Sequence, residues 1–79
     1  MAEQTTSDDT LDREAVADRL NDLAAEIRTG DDLRVRVGNK NVTLHPPETI
    51  NYRVEVIEKR KRFRGSRETI RIELDWKPE

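Results

Sequence analysis

Seventy-nine residues make one domain, and a chain this short buries only about 60 % of the surface its unfolded form exposes, so its margin of stability is thin. There is no cysteine, which excludes a disulfide framework, a thiolate metal site and a cysteine nucleophile. The net charge of -2 conceals a dipole: residues 1–32 hold ten acidic and three basic side chains, and residues 33–79 hold seven acidic and twelve basic ones.

The first segment, Met1 to Leu11, is acidic and polar, with neither periodicity nor bulk. It cannot bury enough apolar surface to offset its ordering entropy, so residues 1–11 are expected to form a flexible acidic tail and residues 12–77 a single domain. MAEQTTSDDT carries no apolar stretch of the kind that directs export, and no apolar run approaches 18 residues. A soluble cytoplasmic protein without membrane contact is therefore expected. With 41 % of residues charged and eleven Arg to four Lys, the surface suits concentrated salt.

From Asp12 the pattern becomes helical. Val16, Leu20, Leu23 and Ile27 recur at spacings of four, three and four, beside Ala17 and Ala24, which draws one apolar stripe. Asp12 is placed as N-cap, with Leu11 and Val16 at the positions of a hydrophobic staple and Glu14 at the positive end of the helix dipole. Arg28 and Gly30 supply the stop, so the spacing predicts a helix over Arg13 to Thr29.

After Asp31-Asp32 the period switches to two. Leu33, Val35 and Val37 face one way, Gly38-Asn39-Lys40-Asn41 provides turn residues, and Val42 and Leu44 resume the alternation. Pairing Val37 with Val42 and Val35 with Leu44 predicts a hairpin with Asn39-Lys40 as its turn. His45-Pro46-Pro47 cannot continue a central strand, so the chain is expected to turn there. A third strand follows, with Ile50, Tyr52, Val54 and Val56 on one face.

The last strand is the clearest: Ile70, Ile72, Leu74 and Trp76 alternate with Arg71, Glu73 and Asp75. Charge sets its register. Opposing Glu55 to Arg71 and Arg53 to Glu73 makes two attractive pairs and sets Val56 against Ile70, Val54 against Ile72 and Tyr52 against Leu74. A slip of two residues would oppose like charges. This centres the connecting loop on Phe63. The expected architecture is α+β: one N-terminal helix packed on a four-stranded antiparallel meander, in two layers.

The helix REAVADRLNDLAAEIRTG, the strand VTLHPP and the closing IRIELDW together make the chain resemble the amphi-Trp domain proteins, small chains frequent in halophilic archaea and named for an amphipathic strand with a near-terminal Trp. The resemblance runs from about Asp12 to Trp76. It implies no activity, cofactor or catalytic residue to carry over. The chain departs from the family in its last hairpin, which is unusually basic.

That basic hairpin is the sharpest local feature. Lys59, Arg60, Lys61, Arg62, Arg64 and Arg67 surround Phe63, with Glu58 and Glu68 flanking. Six cations and one aromatic suit a polyanion, phosphates for the charges and a base for the ring. The same residues also suit a solvated loop that repels edge pairing. Six phosphate contacts give a salt slope of about -5, so roughly five decades of affinity vanish between 0.1 and 1 M salt. Catalysis finds little support: His45, the only histidine, adjoins two prolines, no motif places a nucleophile, the three glycines are scattered singly, and no carboxylate spacing suggests a metal. Trp76 is expected in or at the edge of the core. Three classes of function follow: an interaction or assembly module with a protein partner or a second copy, a nucleic-acid binder using hairpin 59–67, and a small enzyme. The first is favoured, without enzymatic activity or cofactor.

Overall fold

A computed structural model of the chain describes residues 3–61 and 65–78. Helix α1 spans Arg13–Arg28 and begins as the sequence dictates. Asp12, in extended backbone at φ -73° and ψ 168°, accepts the Ala15 N–H on its Oδ1 at 2.8 Å, so one otherwise orphaned donor of the first turn is satisfied. At the other end Thr29 Oγ1 donates to the Glu26 carbonyl at 2.8 Å. Gly30 follows at φ +80°, the left-handed position that closes a helix and that an L side chain resists.

Strands β1 (Leu33–Val37) and β2 (Lys40–Leu44) pair as an antiparallel hairpin, and β3 (Asn51–Lys61) pairs with β4 (Gly65–Asp75) as a second, longer one. The α+β class is as expected: one helix and four antiparallel strands. The single four-stranded sheet is not formed, because β2 and β3 do not pair and the strands divide into two two-stranded sheets. The reason lies in His45-Pro46-Pro47. Each proline fixes φ near -65° and holds its predecessor extended, so the chain leaves β2 extended instead of reversing onto its edge.

The first hairpin differs from expectation by two residues. Leu33 opposes Leu44, Val35 opposes Val42 and Val37 opposes Lys40, so the turn is Gly38-Asn39 and not Asn39-Lys40. Gly38 sits at φ +62°, and among the described residues no non-glycine residue has a positive φ. A two-residue turn with glycine first matches the twist of its flanking strands, whereas Asn39-Lys40 offers no glycine for the strained position. Because the slip is by two, Leu33, Val35, Val37, Val42 and Leu44 still share one face. The second hairpin has the expected register throughout, including Val56 opposite Ile70 and Arg53 opposite Glu73.

Leu33 is the one fully buried apolar residue among those described, at 2 % exposure. Half-buried Leu23 and Ile27 of α1 and Val35, Val37, Val42 and Leu44 of the first hairpin complete this small core. Among the strands, α1 packs on β1 alone. Leu20, expected in the middle of a buried helix stripe, is 50 % exposed, and Val16 is 43 % exposed. The helix stripe is thus covered at its C-terminal half and open at its N-terminal half.

The result is elongated. The radius of gyration is 15.4 Å, against about 12 Å for a compact chain of this length. The eleven residues of β3, at about 3.3 Å each, extend roughly 36 Å, which accounts for most of the 49 Å long dimension. Leu33→Ala is expected to destabilise by about 2–5 kcal/mol, since nothing surrounding Leu33 can collapse into the gap, and Asp12→Ala by about 1 kcal/mol. Urea unfolding followed by circular dichroism measures both, and a Leu33→Ala loss under about 1 kcal/mol would place the core elsewhere.

Candidate interaction surfaces

The residues expected to form a polyanion site are divided by the strand geometry. Lys59 lies opposite Arg67, Arg60 opposite Ser66 and Lys61 opposite Gly65. Side chains alternate along a strand, so Lys59 and Arg67 belong to the face that carries Arg53, Glu55, Arg71 and Glu73, while Arg60 belongs to the opposite one. Lys59, Arg60 and Arg67 are all exposed. Arg62, Phe63 and Arg64 lie outside the described residues, as does the loop centre expected at Phe63. Lys59 and Arg67 form a like-charge pair across the strands, unfavourable where it stands. Ile57 and Thr69 separate it from the next carboxylate on that face, Glu55.

Glu55 gathers the charges of this face. Its Oε1 accepts Arg71 Nη1 at 3.1 Å across the strands, and its Oε2 accepts Arg53 Nη2 at 3.4 Å along the strand. Arg53 stands opposite Glu73 as the charge pattern predicts, but among the described residues no ion pair joins the two. Beside this cluster Ile57 and Thr69 are half-buried, as apolar stems of long charged side chains can achieve.

No helix covers the other face of the β3–β4 hairpin among the described residues. Tyr52, Val54, Val56, Ile70 and Ile72, expected to point inward, are 47–71 % exposed. They form one contiguous set, because Val54 opposes Ile72 and Val56 opposes Ile70, with Tyr52 opposite half-buried Leu74. Trp76, just beyond β4, is half-buried, which suits the core-edge role expected of it. The total accessible surface is 7989 Å². A folded chain of this mass averages about 4,900 Å², and even allowing roughly 1,700 Å² for a fully extended 11-residue tail in place of a packed one leaves an excess above 1,000 Å². This uncovered face is the feature that the sequence reading missed. Alternation shows that a face needs cover and does not show what supplies it.

One open cleft of about 710 Å³ lies where α1 ends, lined by Glu26, Thr29, Asp31, Asp32, Arg34 and His45 among others. His45 Nδ1 stands 3.0 Å from Asp32 Oδ1, with both side chains exposed. His45 is therefore a surface histidine, and its pairing with Asp32 ties the end of β2 to the α1–β1 connection. Thr29, the one hydroxyl on the lining, is engaged with the Glu26 carbonyl. Among the described residues no cluster of His, Asp and Glu is placed to hold a metal, and no helix is long and apolar enough to cross a membrane.

These elements define a small α+β protein whose second hairpin is amphipathic and ends beside a tryptophan. The family model of the Amphi-Trp domain matches residues 1–79, and the chain belongs to that family. No curated protein matches the chain, and no solved structure does.

The Glu55–Arg71 pair joins two partly exposed groups, so a double-mutant cycle with Glu55→Gln and Arg71→Gln should give a coupling of about 0.2–1 kcal/mol. It should shrink as salt is added. A coupling of zero at low salt would remove this pair as a determinant of register.

Proposed function

We propose that the chain is a non-enzymatic interaction or assembly module, acting in the cytoplasm of a cell rich in salt. The uncovered aliphatic face of β3–β4 carries this reading. Soluble chains seldom leave a contiguous apolar patch of several hundred Å² to water unless it meets a partner, and here five large side chains form one. High salt strengthens apolar association while it screens charge. A surface with 41 % charged residues and one aliphatic face is suited to those conditions. A non-enzymatic role is supported by the cleft, whose histidine and its partner Asp32 are exposed and whose hydroxyl is already committed to a backbone carbonyl.

A second reading, salt-dependent nucleic-acid binding through hairpin 59–67, draws on Lys59 and Arg67. Placed directly opposite each other, they leave an unbalanced positive charge that a phosphate would offset. The exposed face does not extend this reading, since Tyr52 is the one exposed aromatic among the described residues, whereas a stacking platform uses several rings.

Two variants separate the readings. Affinity capture with the wild-type chain at molar salt should retain protein, indifferent to nuclease, and Ile72→Asp should abolish it. Replacing Lys59, Arg60 and Arg67 together by Glu should leave capture unchanged and should remove any retardation of DNA or RNA at low salt. Capture that is lost to nuclease and to the charge reversal, yet survives Ile72→Asp, would favour the nucleic-acid reading.

A further inference from the structure

Two surfaces of this chain lack a partner, and they are the two halves of one packing arrangement. The β3–β4 hairpin has an aliphatic face without a helix, and α1 has an apolar N-terminal half, Val16 and Leu20, without a sheet. In the single chain they do not meet, because α1 packs on β1 and approaches neither β3 nor β4. Resting on the assembly reading above, we propose that the partner is a second copy of this chain, and that the free half of α1 from each copy covers the β3–β4 face of the other in a two-fold homodimer.

Symmetry favours a second copy over an unrelated protein. One copy offers both the knob and the seat, so a two-fold axis satisfies both at once and leaves no open end. Helix on one face of an antiparallel sheet is also the stable two-layer solution that each chain fails to reach alone. The free helix half fits within the face: Val16 to Leu20 advances about 6 Å along a helix, and Tyr52 to Val56 advances about 13 Å along a strand.

Area points the same way. The five exposed face residues offer on the order of 500 Å² per chain, and the free helix stripe adds to it. Two copies together therefore offer more than about 1,000 Å² for burial, the area that a specific interface has to clear. Beyond Val56 and Ile70 the same face carries Glu58 and Glu68 and then Arg60, while Lys59 and Arg67 lie on the other face, so the aliphatic centre and not the charged end is the seat. Packing hairpin face on hairpin face would leave the helix stripe open.

Light scattering on the full chain should give twice the 9.2 kDa chain mass at micromolar concentration. Ile72→Asp and Leu20→Glu should each raise the dissociation constant at least thirtyfold, the scale of losing one central apolar anchor. Both should keep the helical circular dichroism, since Leu33 and its neighbours are untouched. The chain has no cysteine, so an equimolar mixture of the single variants Leu20→Cys and Ile72→Cys reports the arrangement directly. The expected product under mild oxidation is a disulfide-linked pair containing one of each variant, in excess over either self-linked pair. A dimer that survives Leu20→Glu and yields no mixed disulfide would overturn the helix-on-hairpin arrangement. A monomer at all concentrations would overturn the homodimer; if that monomer binds a hydrophobic dye through the Ile72 face, the assembly reading stands with another partner, and if it does not, that reading falls as well.

Discussion

A two-stranded sheet presents two faces, and a chain with one 16-residue helix can cover only one such sheet. The rest of this structure depends on that constraint. The helix is committed to the first hairpin, where Leu33 is enclosed at 2 % exposure, and among the described residues no second helix lies over the other. The β3–β4 hairpin therefore stands as an extended ribbon whose backbone is paired and whose charged face is organised around Glu55. Its aliphatic face is left to water. Isolated two-stranded hairpins are marginal in water, so the same face that invites a partner is also the one that most needs it for stability.

Charge arranges what apolar packing leaves undecided. On the charged face, Glu55 between Arg53 and Arg71 fixes the register that opposes Tyr52 to Leu74, Val54 to Ile72 and Val56 to Ile70 on the other side. Toward the tip the pattern reverses: Glu58 faces Glu68 and Lys59 faces Arg67, pairs that weaken the hairpin where it is farthest from the core. Such a tip resists adding a further strand at its edges. It is also where an external carboxylate or phosphate would be most welcome.

Much of the fold was legible in local chemistry. Asp12 as cap, Gly30 as stop and the pairing of β3 with β4 all follow from residue types at fixed spacing, because each rests on contacts within a turn or between two neighbouring strands. The β1–β2 register differs from expectation by two residues because Gly38, not Asn39, supplies the positive φ the turn requires. Its facing was safe, since a slip of two preserves it. The four-stranded sheet failed for a different reason. Alternation in Val42, Leu44, Tyr52 and Val54 is blind to whether two strands share an edge, and the decision lay with Pro46 and Pro47. The candidate surface was likewise half visible: the amphipathic strands are plain in the sequence, but their lack of cover is a property of how far the one helix reaches.

The central claim is that the β3–β4 face is open in the single chain and closed by association. Tyr52 is the only tyrosine and lies on that face, so hydroxyl-radical labelling of Tyr52 across a dilution series reads the claim directly. The account predicts strong labelling at nanomolar chain and protection that develops with concentration in step with dimer formation. Protection that is equally strong at every concentration would contradict it, since the face would then be covered within one chain.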